Sequence, residues 1–332
     1  MRLGAGALLA LAFAALPAAA EPEIRLAFPL ACAPGPACFV QNYVDHDATR
    51  GYRDYRCGPL SSDGHRGTDI RLADFAAMRR GVAVLAAAPG VVVAVRDEMP
   101  DVDMRLVGRD AVTDRGLGNV VILRHAGGWR TIYAHMRRGS VAVTKGEAVV
   151  AGRRLGLVGL SGLTEFPHVH FEVRFGNRPV DPFVGMAAPR GCDAAGDGLW
   201  DAALRAGLAY RPTFLLRAGF ATRPMTRPAM QYGLYRRATL SAKSGRLYFG
   251  AFAAGLYAGD RYALRVTGPD GAVLFEKTGV VARDRAVAFW HAGVARGAAL
   301  PPGAYRARFT LDRSRDGVSR RILDIARPVT LN

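Results

Sequence analysis

Short runs of β-type residues, separated by turns that contain glycine, recur along this chain and limit what it can fold into. They are too short and too rich in β-branched and aromatic residues for amphipathic helices. Up to about residue 185 they are GVVVAVRD (90–97), NVVILRH (119–125), WRTIYAH (129–135), LGLVGL (155–160) and HVHFEVRF (168–175). The Gly-Gly in HAGGW is typical of a hairpin turn. The pattern predicts a mainly β protein.

The chain has 332 residues, which predicts two domains rather than one. Its last third continues with runs such as TFLLRAGF, RLYFGAFAAG and AYRARFTLDR, and turns such as GPDG separate them at the spacing of a β-sandwich. The polar stretch 97–118 is expected to form a long loop. The predicted divisions are a signal peptide (1–20), an irregular N-terminal segment (21–60), a β domain (61–190), a linker with one short helix (191–206) and an immunoglobulin-like β-sandwich (207–332).

The first twenty residues have the pattern of a secretory signal. Arg2 supplies a positive start, an apolar run follows over 7–16, and small residues at 18–20 suit cleavage after Ala20. The apolar run is too short for a membrane anchor, and no other stretch is apolar and long enough to be a transmembrane segment. We therefore expect an exported protein, periplasmic or secreted.

Four cysteines in an exported protein predict disulfide bonds. Cys32 and Cys38 flank the turn-rich segment APGPA and could close a small loop, which would leave Cys57 and Cys192 to form a long-range bond. Sequence alone leaves all three pairings open. Zinc binding by these thiols is disfavoured because none lies in a C-x-x-C pair.

The formal net charge is +17, with arginines scattered rather than clustered. Nucleic acid is a possible partner for such a basic chain, but an exported protein meets anionic wall polymer or membrane surface first. No nucleic-acid partner is therefore expected, and electrostatic contact with an anionic surface is. The alternative is that the arginines simply solvate the surface, because net charge informs association rather than fold.

Two histidines lie two residues apart in the run HVHFEVRF. Residues i and i+2 of a strand share a face, so His168 and His170 point the same way. Upstream, GHRGTDI contributes His65 and Asp69, and WRTIYAH ends at His135. Two imidazoles and one carboxylate satisfy a catalytic zinc and leave a position for water. Each pair taken alone has an ordinary structural explanation, and their combination points to a metal site.

These motifs resemble the LytM/lysostaphin-type zinc endopeptidases of peptidase family M23. The resemblance covers residues 62–185 and rests on GHRGTDI, GNVVILRHAGGWRTIYAHM, VTKGEAVVAGRRLGLVGLSG and PHVHFEVRFGNRPVDPF. It implies a mostly antiparallel β-fold with the site in a groove on one sheet. It also implies that zinc is ligated by His65, Asp69 and His170, while His135 and His168 act in catalysis. The chain departs from the family pattern at residues 163–166.

The resemblance implies an exported zinc metalloendopeptidase that hydrolyses peptide cross-links of peptidoglycan. The alternative is a non-catalytic LytM-like regulator that binds and activates other wall hydrolases. Such regulators typically lack metal ligands, so the five polar residues present here favour the enzyme. A protease for exported proteins would share the chemistry and differ in substrate. The C-terminal domain lies outside the resemblance; it either binds the wall or caps the groove.

Overall fold

The structure, a computed structural model, describes residues 23–35, 37–186, 191–192 and 198–332. The predicted signal peptide 1–20 lies outside these residues. Within the described ranges, no helix combines the length and apolar character needed to cross a membrane.

The N-terminal half is built on one eight-stranded sheet in which every pair is antiparallel. Its order is β1 (Cys38–Asn42), β2 (Thr68–Leu72), β9 (His168–Phe175), β6 (Trp129–Met136), β5 (Asn119–Arg124), β4 (Gly90–Arg96) and β7 (Ala148–Val149), with β10 (Arg178–Val180) beside β9. A separate antiparallel pair joins β3 (Ala83–Leu85) to β8 (Arg154–Leu157). The predicted mainly β, antiparallel fold class is confirmed.

Strand β1 lies inside the segment 21–60, which was expected to be irregular. That expectation is wrong for these five residues, because β1 pairs with β2 and extends the sheet at its edge. Leu26, Phe28 and Leu30 of the same segment are also buried in the hydrophobic core of the sheet. The flanking residues are rich in proline and glycine, which hides this strand in the sequence. It is recognised as a strand only through its pairing with β2, which comes later in the chain.

Short helices interrupt the loops. α1 (Phe75–Arg80) follows β2, and its N-cap Asp74 accepts a hydrogen bond from the Ala77 amide. The stretch 97–118, expected to be a loop, contains α2 (Met104–Val107) and α3 (Asp110–Thr113). Four residues make barely one helical turn, so no hydrophobic period could reveal these helices. Single 3₁₀ turns occur at Ala126–Gly128, Ala202–Leu204 and Ala242–Ser244.

The C-terminal part contains two sheets. The smaller has the order β11 (Phe214–Ala221), β13 (Arg246–Leu256) and β16 (Arg285–Ala295). The larger has the order β12 (Thr239–Leu240), β18 (Val318–Leu331), β17 (Gly303–Arg315), β14 (Arg261–Thr267) and β15 (Val273–Val280), with β12 parallel to β18 and the other pairs antiparallel. Between β11 and β12 lies α4 (Arg227–Gln231).

Side chains from both C-terminal sheets share one hydrophobic cluster. Phe220 and Phe249 come from the smaller sheet, and Leu264 and Phe309 from the larger. This arrangement is consistent with a sandwich, while the immunoglobulin-like assignment and the domain boundaries stay predictions.

Disulfide bonds join Cys32 to Cys38 and Cys57 to Cys192. This is one of the three pairings that the sequence leaves open, and none of the four cysteines is free. The second bond ties the segment before β2 to the residues that follow β10.

Candidate active site

Three neighbouring strands carry the predicted site residues. Asp69 on β2 lies directly opposite His170 on β9, and His170 lies opposite Ala134 on β6. His168 follows the same face of β9 two residues away. The sheet order therefore places the Asp69 carboxylate beside the imidazoles of β9. The shared face of His168 and His170 agrees with the strand pattern in the sequence.

His135 enters the site through an irregularity in β6. Its φ is +58°, in the left-handed region that residues with a side chain rarely adopt. The regular pairing between β5 and β6 also shifts at this point. The bulge turns the His135 ring out of its normal alternation, so that its centroid lies 4.7 Å from that of His168.

Three potential metal ligands form the centre of the site. His65 Nε2 lies 3.1 Å from Asp69 Oδ1, and His170 Nδ1 lies 2.9 Å from the same oxygen. His65 Nε2 and His170 Nδ1 are 3.1 Å apart. One ligand atom from each residue lies within 4.8 Å of the other two. Three donors at this separation can converge on a single ion.

Two further groups orient these ligands. Asn42 donates from Nδ2 to Asp69 Oδ2 over 2.9 Å, which leaves Oδ1 directed at the imidazoles. The Tyr43 carbonyl lies 2.7 Å from His65 Nδ1. Because a carbonyl only accepts, Nδ1 carries a proton, and Nε2 is the nitrogen that faces the centre and would bind an ion. Sequence reasoning missed Asn42, since it lies on the unpredicted strand β1.

The same arrangement recurs at the other two histidines. His135 Nδ1 lies 2.8 Å from the Ser161 carbonyl, and His168 Nδ1 lies 2.8 Å from the Phe166 carbonyl. Each ring therefore donates from Nδ1 and keeps Nε2 for another partner. His168 Nε2 is 3.4 Å from Asp69 Oδ1, beside the candidate metal centre.

The pKa values of these groups shift in both directions, because the groups are buried and lie close together. Burial works to lower the pKa of His65, but the Asp69 carboxylate outweighs it and raises that pKa to about 9. Burial works to raise the pKa of Asp69, yet His65 and His168 hold it well below its usual range. Burial, followed by repulsion from His168 and His170, lowers the pKa of His135. Burial likewise lowers the pKa of His170.

All five predicted site residues line one open groove of about 810 Å³. Its walls also include apolar side chains and three charged side chains outside the metal cluster. These further lining residues include Met104, Leu117, Leu163, Phe166, Asp63, Arg109 and Glu165. The geometry therefore combines a ligand cluster, two imidazoles beside it and an open groove around them.

The donor set fits a zinc ion. Imidazole nitrogens and a carboxylate oxygen are ordinary zinc ligands, and three protein ligands leave a coordination position open. A Cβ at Gly67 would lie 2.8 Å from both Cε1 and Nε2 of His170, so only glycine leaves room for that ring. The ligand roles themselves stay predictions.

The stretch of chain that carries this groove is similar to a known family. Residues 63–182 match the model of Peptidase family M23. The match covers the stretch that carries the site motifs, and the resemblance found in the sequence is confirmed.

Relatives match this stretch only in part. DD-carboxypeptidase/endopeptidase Mpg of Neisseria gonorrhoeae is 42% identical over 74 residues, which is 22% of this chain and 16% of that protein. Murein hydrolase activator NlpD of Escherichia coli is 29% identical over 122 residues, 37% of this chain and 26% of that protein. The crystal structure of a zinc containing peptidase from Vibrio cholerae is 29% identical, covers 42% of this chain and 38% of that one, and has a TM-score of 0.28. The chain thus spans well under a third of the curated relatives' length.

Proposed function

We propose that this chain is an exported zinc metalloendopeptidase that hydrolyses peptide cross-links in peptidoglycan. The observation that carries the proposal is the cluster of His65, Asp69 and His170 with two imidazoles beside it in an open groove. A binding surface would need no ligand triad, and a structural metal site would not open onto a groove.

In this proposal His65, Asp69 and His170 hold the ion. When bound, zinc supplies Lewis acidity, which lowers the pKa of water and polarises a peptide carbonyl. His135 and His168 handle the protons: one accepts the proton of the attacking water, and the other donates to the oxyanion or to the leaving amine. The Ser161 and Phe166 carbonyls hold both rings with Nε2 available for this exchange.

The substrate class is inferred from the relatives. Mpg is named a DD-carboxypeptidase/endopeptidase, and the family match covers the whole predicted site. The groove is open, as a polymeric substrate requires. Export to the periplasm or the medium follows from the same substrate and from the predicted signal peptide.

Similarity to NlpD, a murein hydrolase activator, supports a second candidate. In that case the groove would bind another wall hydrolase and cut nothing. The complete set of ligands and flanking histidines favours the enzyme, because a binding surface has no use for two imidazoles with available Nε2 atoms.

Purified sacculi test the proposal. The chain without residues 1–20 is incubated with sacculi, with chelator, and with chelator followed by zinc. We expect peptide-cleaved muropeptides that disappear with chelator and return with zinc. Sacculi left intact under all three conditions, with stimulation of an added wall hydrolase, would support the regulator instead.

A further inference from the structure

The segment Leu163–Phe166, here called the His168 loop, decides how the His168 ring is held. The Phe166 carbonyl accepts from His168 Nδ1 over 2.8 Å, and the Thr164 hydroxyl lies 3.1 Å from the same nitrogen. The Phe166 ring packs on the imidazole with centroids 4.5 Å apart. Any shift of this loop therefore moves the imidazole, and this is the stretch where the chain departs from the family pattern.

The C-terminal part of the chain contacts this loop through α4. Arg227 at the start of α4 forms an ion pair with Glu165 at 2.9 Å. Arg105 of α2 contacts the same residue: its Nη1 lies 3.4 Å from the Glu165 carboxylate and its Nη2 donates to the Glu165 carbonyl over 3.3 Å. Both α2 and α4 therefore contact the loop through Glu165.

A second contact runs through Arg71. Arg71 lies opposite His168 in the pairing of β2 with β9, and its side chain is buried, with 1% exposed. Its guanidinium lies 4.6 Å from the centroid of the Phe166 ring and 5.8 Å from that of Phe252 on β13. It also donates to Gln41 Oε1 over 2.6 Å. Stacking on two aromatic rings favours a cation that would otherwise be costly to bury.

Two contacts therefore link the C-terminal part to the His168 loop: Arg227 pairs with Glu165, and Phe252 reaches Phe166 through Arg71. The ion pair Arg227–Glu165 alone would contribute little, because both side chains are partly exposed to solvent. The stack Phe252–Arg71–Phe166 is buried, and it ends on the ring that packs against His168. The packed aromatic contact is therefore the stronger of the two.

We propose that the C-terminal part positions His168, with Arg71, Arg227 and Phe252 as positioning residues that act through the His168 loop. This inference rests on the proposed function of the groove and deepens it. The C-terminal part is then part of the working active site, whether or not it also contacts the wall. None of the three residues lines the groove, so none is expected to touch substrate.

The test compares Phe252→Leu with Phe249→Leu in the zinc-loaded full chain. Both phenylalanines lie on β13 and are fully buried, but Phe249 belongs to the cluster between the C-terminal sheets. Both variants should lose some stability. Only Phe252→Leu should lower kcat on a cross-linked muropeptide dimer, by about 10- to 100-fold with little change in KM, because a small misplacement of a catalytic group costs that much.

Arg227 gives an independent pair of variants. Arg227→Gln should lower kcat by a smaller factor, and Arg227→Lys should restore most of it. Arg237→Gln is the matched control, since Arg237 is exposed on the same stretch of chain and does not line the groove.

A magnetic resonance measurement that does not depend on catalytic activity completes the test. In metal-free protein labelled at histidine, the His168 imidazole resonance should move in Phe252→Leu and stay in place in Phe249→Leu. Equal kcat and an unmoved resonance in the two variants would overturn the inference while leaving the proposed function intact. A parent protein that cleaves no peptide would count against the proposed function. In that case the comparison of the His168 resonance in the two variants would still test whether the C-terminal part positions His168.

Discussion

At the scale of single residues, backbone carbonyls decide what the histidines of the site can do. Three carbonyls each lie against one Nδ1 atom and leave the Nε2 atom of that ring available. The pairs are His65 with Tyr43, His135 with Ser161, and His168 with Phe166. His170 is the exception, because its Nδ1 faces Asp69. Main-chain geometry therefore keeps a proton on Nδ1 of these three rings and leaves Nε2 as the atom that an ion or a substrate would meet.

His135→Ala and His168→Ala should each keep zinc and lose most hydrolysis. Neither residue is needed to complete three protein ligands, and a proton-transfer group typically contributes about 10²–10⁴-fold in rate. Zinc content, melting temperature and muropeptide release are measured on the same samples.

His125→Ala is the control for this pair. His125 is also buried and hydrogen-bonded, to the Pro89 carbonyl and to Thr131, but it does not line the groove. Its loss should lower stability and leave turnover unchanged. A folded, zinc-loaded His168→Ala protein with near-normal activity would contradict the assigned chemistry.

At the scale of elements, the sequence predicted the strands that have a recognisable β-type residue pattern of their own. It missed a strand that is recognisable only through its pairing with another strand. β4, β5, β6 and β9 begin and end close to the predicted runs. β1 was missed because only its pairing with β2 identifies it as a strand. Ligand chemistry and family motifs pointed to five residues in the sequence, and the structure gathers all five in one groove. The His135 bulge was not, because it depends on a register shift between β5 and β6.

The two disulfide bonds should contribute unequally to stability. Cys57 and Cys192 are 135 residues apart, whereas Cys32 and Cys38 are six apart. Loop-closure entropy predicts a loss of about 5 kcal/mol in the free energy of unfolding for the paired serine variant of the long bond, and about 2 kcal/mol for the short one. Chemical denaturation of the two double variants measures the difference.

Thiol labelling of the parent protein accompanies this experiment. Denatured but unreduced protein should contain no reactive thiol, because all four cysteines are paired. Two or more labelled cysteines, or equal losses of stability in the two double variants, would count against the pairing.

At the scale of the whole molecule, contacts between distant parts of the chain determine how the C-terminal sheets relate to the site. Arg217 and Arg236 both pair with Asp74 at the N-terminus of α1, and Arg227 pairs with Glu165 beside the groove. Glu165 and Arg227 are 62 residues apart, and no local pattern links them. The sequence therefore left open whether the C-terminal part binds the wall or caps the groove. The contacts place it against the loop that holds His168.

Zinc stoichiometry tests the central claim most directly. The full chain without residues 1–20 is loaded with zinc, freed of excess metal by gel filtration and analysed for metal beside His170→Ala and His168→Ala. We predict one zinc per chain in the parent and in His168→Ala, and almost none in His170→Ala, since two remaining ligands hold the ion poorly. Full zinc occupancy in a folded His170→Ala protein, or a parent that retains no zinc, would contradict the account.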